Sequence, residues 1–162
     1  MQPAVDPRFD DERVTAMGIL METQAALLRS TECTLERAGL SHQWFEVLLR
    51  LGRTPGHRLR MSELAAAMSS ITPSGLTRLI DRMNEAGLVD RVQCQEDRRG
   101  AFAVLTDAGR ARLEEVFPDH LADIERVYTS VLSERELEGV TVALRKVRDR
   151  LAGAGRDEAS PK

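Results

Sequence analysis

Between residues 10 and 37, Val14, Met17, Met21, Leu28, Thr31 and Leu35 drift along one helical face, and Gly39 follows as a stop. Ser41 suits the N-cap of a second helix to about residue 51, closed by a turn at Pro55-Gly56. A short helix is expected around 62–68. Thr72-Pro73 reads as the N-cap and first position of a fourth helix, which Gly87 ends. Past Gly87 the pattern changes, and 88–93 and 101–105 read as two strands joined by a charged loop, 94–100. Thr106 opens a long helix to about residue 132, with Pro118 expected to kink it near Phe117. Ser133-Glu134-Arg135-Glu136 matches a capping box and starts a sixth helix. The ends, 1–9 and 153–162, are polar and carry Pro or Gly, and disordered tails are expected there. The pattern predicts a mainly α fold with one small β-hairpin after the fourth helix, in a single domain over 10–152.

Composition agrees with that picture. The chain has 162 residues, 42% hydrophobic and 30% charged, enough to bury a core. Aromatics at 4% are too few for a sheet-rich core. The apolar stretches are short or interrupted, so no transmembrane helix fits. Met1–Asp6 lacks the basic start and apolar run of a signal peptide, and two cysteines, Cys33 and Cys94, make no disulfide framework. A soluble cytoplasmic protein is expected.

The net charge of −3 speaks against a polybasic nucleic-acid binder, but the charge is uneven. Residues 1–40 hold four Arg against seven acids, 41–105 hold nine against seven, and 106–162 hold ten Arg and Lys against twelve. A mildly basic centre between acidic flanks is the pattern expected when only the middle meets a polyanion.

That centre contains two short helices joined by a short link, the layout of a helix-turn-helix. In the second, Leu76, Leu79, Ile80 and Met83 form an apolar stripe. Ser74, Arg78, Asp81 and Glu85 lie opposite, with Thr77 and Arg82 at the margins. Small and basic groups come first and acids later, which suits a helix entering the major groove by its N-terminal half. A solvated helix face accounts for the same residues. The hairpin loop adds Asp97-Arg98-Arg99-Gly100: two guanidinium groups suited to a narrow minor groove, and an acid suited to shaping the loop. Charged tips are also common on exposed hairpins, but this one directly follows a helix-turn-helix.

Through Met61-Ser62-Glu63-Leu64-Ala65, Thr72 to Met83, Gly87-Leu88-Val89, Asp97-Arg98-Arg99-Gly100 and Leu105-Thr106-Asp107-Ala108-Gly109, the chain resembles the MarR-type winged-helix transcriptional regulators. The resemblance covers about residues 10–152. It implies a winged helix-turn-helix over 41–106, flanked by dimerisation helices at 10–38 and 107–152. It also implies a homodimeric repressor of a pseudo-palindromic double-stranded DNA operator, released by a small organic effector or an oxidant. By similarity Thr72, Ser74, Gly75, Thr77, Arg78 and Arg82 would serve the recognition helix, and Asp97, Arg98 and Arg99 the wing. Independently, Leu137, Val140, Leu144, Val147 and Leu151 are spaced 3, 4, 3, 4, a coiled-coil-like seam that fits dimerisation or packing within the domain.

No P-loop, GxGxxG, HExxH or CxxC is present, so an enzyme lacks a visible constellation, and no cofactor is expected. A protein-binding winged helix would not need the Arg pair of the wing. His42 and His120 could converge on zinc, though unpaired surface histidines are commoner. Cys33 has an acidic neighbour and Cys94 only Arg91 nearby, so a redox switch is the weaker alternative. Met17, Met21, Trp44 and Phe45 could wall an effector pocket, with Arg29 or His42 as anchor; core packing explains the same residues.

Overall fold

The computed structural model describes residues 6, 9–68, 71–94 and 100–157. The expected tail at 1–9 lies mostly outside these residues, as does the wing tip at 95–99. The chain forms two compact units, Met1–Ala122 and Asp123–Lys162.

The first unit begins with α1 (Glu12–Arg37), capped by Asp11, and α2 (His42–Gly52), capped by Ser41. A 3-10 turn at Pro55–His57 leads into β1 (Arg58–Arg60), α3 (Met61–Ala67) and α4 (Pro73–Glu85). Thr72 and Pro73 take the N-cap and first-turn positions read from the sequence. Gly87, at φ +73°, ends α4 in the left-handed region that glycine enters without strain. Next come β2 (Val89–Gln93), β3 (Ala101–Leu105) and α5 (Asp107–Val127).

The three strands form one antiparallel sheet in the order β1-β3-β2. Val89 pairs with Leu105, Arg91 with Ala103, and Leu59 with Ala103 from the other side. Those positions share the face turned to the helices, where Val89, Ala103 and Leu105 are buried. Arg58, Arg60, Phe102 and Val104 share the outer face. Beneath the sheet, Leu48, Leu51, Leu64, Leu79, Ile80 and Met83 are fully buried, each contributing about 1.5–3 kcal/mol relative to exposure.

One corner locks the helix-turn-helix to the sheet. The Thr106 hydroxyl donates to the Gly87 carbonyl at 2.7 Å and accepts from the Gly109 amide at 2.9 Å. The Thr106 amide donates to the Leu88 carbonyl at 3.3 Å. A β-carbon at position 109 would stand 2.0 Å from the Leu88 carbonyl oxygen, so this approach requires glycine.

Two expectations change here. The sequence reading holds no strand at 58–60; Leu59 alone carries the inward position of a three-residue strand, too short for a period. The fifth helix ends at Val127 rather than near 132, and a 3-10 turn spans Thr129–Val131. Tyr128 leaves helical geometry (φ −132°, ψ −60°), and Val127, Tyr128 and Thr129 are all modest helix formers. Pro118 lies inside α5, which runs on past it.

In the second unit, α6 covers Glu134–Asp157 and so extends into the segment expected as a tail. Single glycines at 153 and 155 weaken a helix by roughly 1 kcal/mol each without forcing a stop. Ser133 and Glu136 form the expected capping box, the Ser133 amide donating to Glu136 Oε2 at 2.8 Å. These bonds from Ser133 hold the Glu136 carboxyl below the usual carboxylate range.

Candidate nucleic-acid interface

Helix α4 is split lengthwise. Leu76, Leu79, Ile80 and Met83 are buried on one side, as the sequence predicts. Ser74, Arg78 and Arg82 are exposed on the other, with Thr77 half-buried at the margin. Burying the apolar stripe fixes the rotation of the helix and so decides which residues reach solvent.

The small polar residues at its start have structural duties. Thr72 Oγ1 accepts from the Gly75 amide at 3.2 Å and lies 3.3 Å from Ser74 Oγ. Thr77 Oγ1 donates to the Pro73 carbonyl at 3.2 Å. A β-carbon at position 75 would lie 2.9 Å from Ile71 Cγ1, so Gly75 is explained by packing inside the turn as well as by access. Beyond that turn, Arg78 and Arg82 border an open cleft of about 570 Å³ with Ile71, Gly75 and Asp81. Among the described residues neither arginine has an ion-pair partner. Asp81 does: Arg91 on β2 reaches it at 3.0 Å.

The wing residues Asp97, Arg98 and Arg99 lie outside the described residues. The loop's root is described, and the Cys94 amide donates to the Gly100 carbonyl at 2.8 Å, closing the hairpin. Two further cations went unread in the sequence. Arg58 and Arg60 hold their guanidinium carbons 4.7 and 5.1 Å from the centroid of Phe102 on the outer face. The alternation Arg-Leu-Arg was the available signal.

The residues expected to wall an effector pocket come together only in part. Phe45 is a core residue, its ring 4.4 Å from that of His120, and Trp44 packs against the core. His42, Phe45 and His120 do meet, with Glu46, Arg50 and others, around a cavity of about 280 Å³. Met17 and Met21 are exposed at 59% and 56%, Arg29 is also exposed, and none of the three borders that cavity. Among the described residues no three His, Cys, Asp or Glu side chains form a group able to hold a metal. Cys33 is exposed and Cys94 half-buried. The seam residues of α6 also face solvent: Val140, Leu144, Val147 and Leu151 are exposed and Leu137 is partly buried. No described helix is long and apolar enough to cross a membrane.

Known proteins share both the sequence and the arrangement. The MarR family model matches residues 38–100, from the end of α1 to the end of the wing loop. The transcriptional repressor MprA of Escherichia coli is 27% identical over 143 residues, covering 88% of this chain and 80% of its own. The crystal structure of AbsC, a MarR family transcriptional regulator from Streptomyces coelicolor, superposes with a TM-score of 0.78 at 33% identity, over 94% of this chain and 99% of that one. Sco3205 from the same organism, a MarR family regulator crystallised in complex with DNA, gives 0.77 at 30% identity, over 86% and 91%. The chain belongs to the MarR family of transcriptional regulators.

Proposed function

We propose that this protein is a sequence-specific double-stranded DNA-binding regulator that acts as a homodimeric repressor on a pseudo-palindromic operator. The observation that carries the reading is the lengthwise division of α4, with Leu76, Leu79, Ile80 and Met83 buried and Ser74, Arg78 and Arg82 presented to solvent. In this reading Arg78 meets a base edge in the major groove, where its fork can bond guanine O6 and N7. Arg82 meets the backbone, and Arg98 and Arg99 enter the neighbouring minor groove with Asp97 shaping the loop. Sco3205, similar over most of its length, was crystallised with DNA, which supports the assignment.

Dimerisation is supported by apolar side chains left uncovered in the single chain. On α6, Leu144, Val147 and Leu151 are 42–68% exposed, and on α1 Val14, Met17 and Met21 are 56–63% exposed. Surfaces of that kind on a soluble regulator call for a partner, and a two-fold copy supplies one. A small organic effector would act by favouring a dimer whose recognition helices are mis-spaced for adjacent half-sites. The test is selection of bound fragments from random or genomic DNA, followed by sequencing. An inverted repeat with half-site centres about 10 bp apart is expected. Recovery of no enriched motif at physiological salt refutes the reading.

A further inference from the structure

Arg91 is not used by the operator reading above, yet it is tied to α4 at both ends. Its Nη1 donates to Asp81 Oδ1 at 3.0 Å, and its backbone amide to Asn84 Oδ1 at 3.4 Å. It stands in the middle of β2, opposite Ala103, on the sheet face turned to the helices. The pair is not buried: the side chains of Arg91 and Asp81 keep 37% and 47% of their exposure. It therefore occupies the open corner where α4 and the hairpin meet.

A duplex constrains that corner. Neighbouring major and minor grooves are divided by one sugar–phosphate strand. A protein with a helix in one groove and a hairpin loop in the next must let that strand cross the junction between them. Arg91 places a cation at the junction of α4 and β2.

We propose that Arg91 grips this dividing strand as a phosphate ligand, and that Asp81 is the positioning residue that holds its guanidinium ready. The proposal rests on the reading of α4 and the wing given above. A guanidinium offers five N–H donors in a rigid fork, and Asp81 engages it through one oxygen, leaving donors for a phosphate. An exposed ion pair by itself adds little to stability, so fold stability is a weak reason for this one. An acid on a DNA-facing helix repels phosphate, but here its charge is balanced by the arginine it orients, and that orientation is settled before binding.

The test uses the full-length protein and its selected operator, with anisotropy titrations over a salt series. Operators carry a single uncharged methylphosphonate at successive positions of the dividing strand. Arg91→Ala is expected to weaken binding roughly tenfold and to lower the salt slope by about one per half-site. At one phosphate the methylphosphonate should weaken the native protein similarly, and combining it with Arg91→Ala should add no further loss. Arg91→Gln keeps a donor for Asp81 without the charge and must lose the same slope. Asp81→Ala should bind more weakly, although it makes the protein more positive. An unchanged slope in the Arg91 variants, additive losses at every phosphate, or tighter binding by Asp81→Ala overturns the proposal. Native-like Arg91→Ala beside a weakened Arg78→Ala overturns it alone; if both bind like the native protein, the α4 reading falls with it.

Discussion

Gly109→Ala puts the greatest demand on the packing at the corner between the helix-turn-helix and the sheet. The added methyl would stand 2.0 Å from the Leu88 carbonyl oxygen and 2.9 Å from Leu105 Cδ1. A side-chain end can rotate away, but the Leu88 carbonyl is backbone and accepts from the Thr106 amide, while Thr106 also holds Gly87. The N-terminus of α5 must therefore retreat by more than an ångström, stretching three hydrogen bonds together. Overpacking in a tight interior costs about 1–3 kcal/mol, and a clash with backbone belongs at the upper end. Alanine returns about 1 kcal/mol of helix propensity, leaving a net loss of about 2 kcal/mol. For a chain of this length that lowers the melting temperature by roughly 4–8 °C. Gly139→Ala is the control, since nothing lies within 4 Å of the added carbon; it should gain about 0.5–1 kcal/mol. Thermal melts of both variants by far-ultraviolet circular dichroism, at one protein concentration because assembly shifts the midpoint, read the two signs. A Gly109→Ala protein that melts with the native one would refute the account of this corner.

Arg78→Ala should cost about 1–3 kcal/mol on the selected operator and relax preference at one base position, whereas Arg99→Ala should weaken binding evenly across sequences and flatten its salt dependence. Operator titrations that leave both unchanged remove the groove assignments. Leu144→Asp places a charge in the exposed stripe of α6 and should give monomers with poor DNA affinity; a dimer by light scattering takes Leu144 out of the interface. A Cys33→Ser, Cys94→Ser double variant should keep both DNA binding and its regulation in a reporter assay, and loss of the response alone would establish the redox route instead.

The elements that could be read from the sequence are those whose signals are local. Thr72-Pro73 and Ser133 to Glu136 carry their capping chemistry within four residues, and both are found where the pattern puts them. The stripe of α4 declares its buried side because Leu76, Leu79, Ile80 and Met83 meet the rest of the core at one helical face. Strand β1 escaped notice because three residues cannot establish a period, and its identity comes from pairing with β3, more than forty positions away. Met17, Met21 and Arg29 lie outside the cavity that His42 and Phe45 border for a related reason. Proximity of Met17, Arg29 and Phe45 depends on how far along α1 the core extends, and only Thr31, Thr34 and Leu35 of that helix are buried.

The same distinction separates the two kinds of residue in the candidate site. Arg78 and Arg82 could be named from helical spacing alone, since exposure on an amphipathic helix follows from the stripe opposite. Asp81 has the same spacing and reads from the sequence only as one of the acids that fall later in the helix. Its meaning changes only when β2 brings Arg91 within 3.0 Å, ten residues later in the chain. Net charge misleads here on the same grounds. An overall −3 counts Asp81 against DNA binding, whereas in the fold that charge is paired with Arg91 at the junction of α4 and β2. Which charges can meet a polyanion depends on how the fold places and pairs them, and on α4, among the described residues, Arg78 and Arg82 carry no ion-pair partner while Asp81 has one.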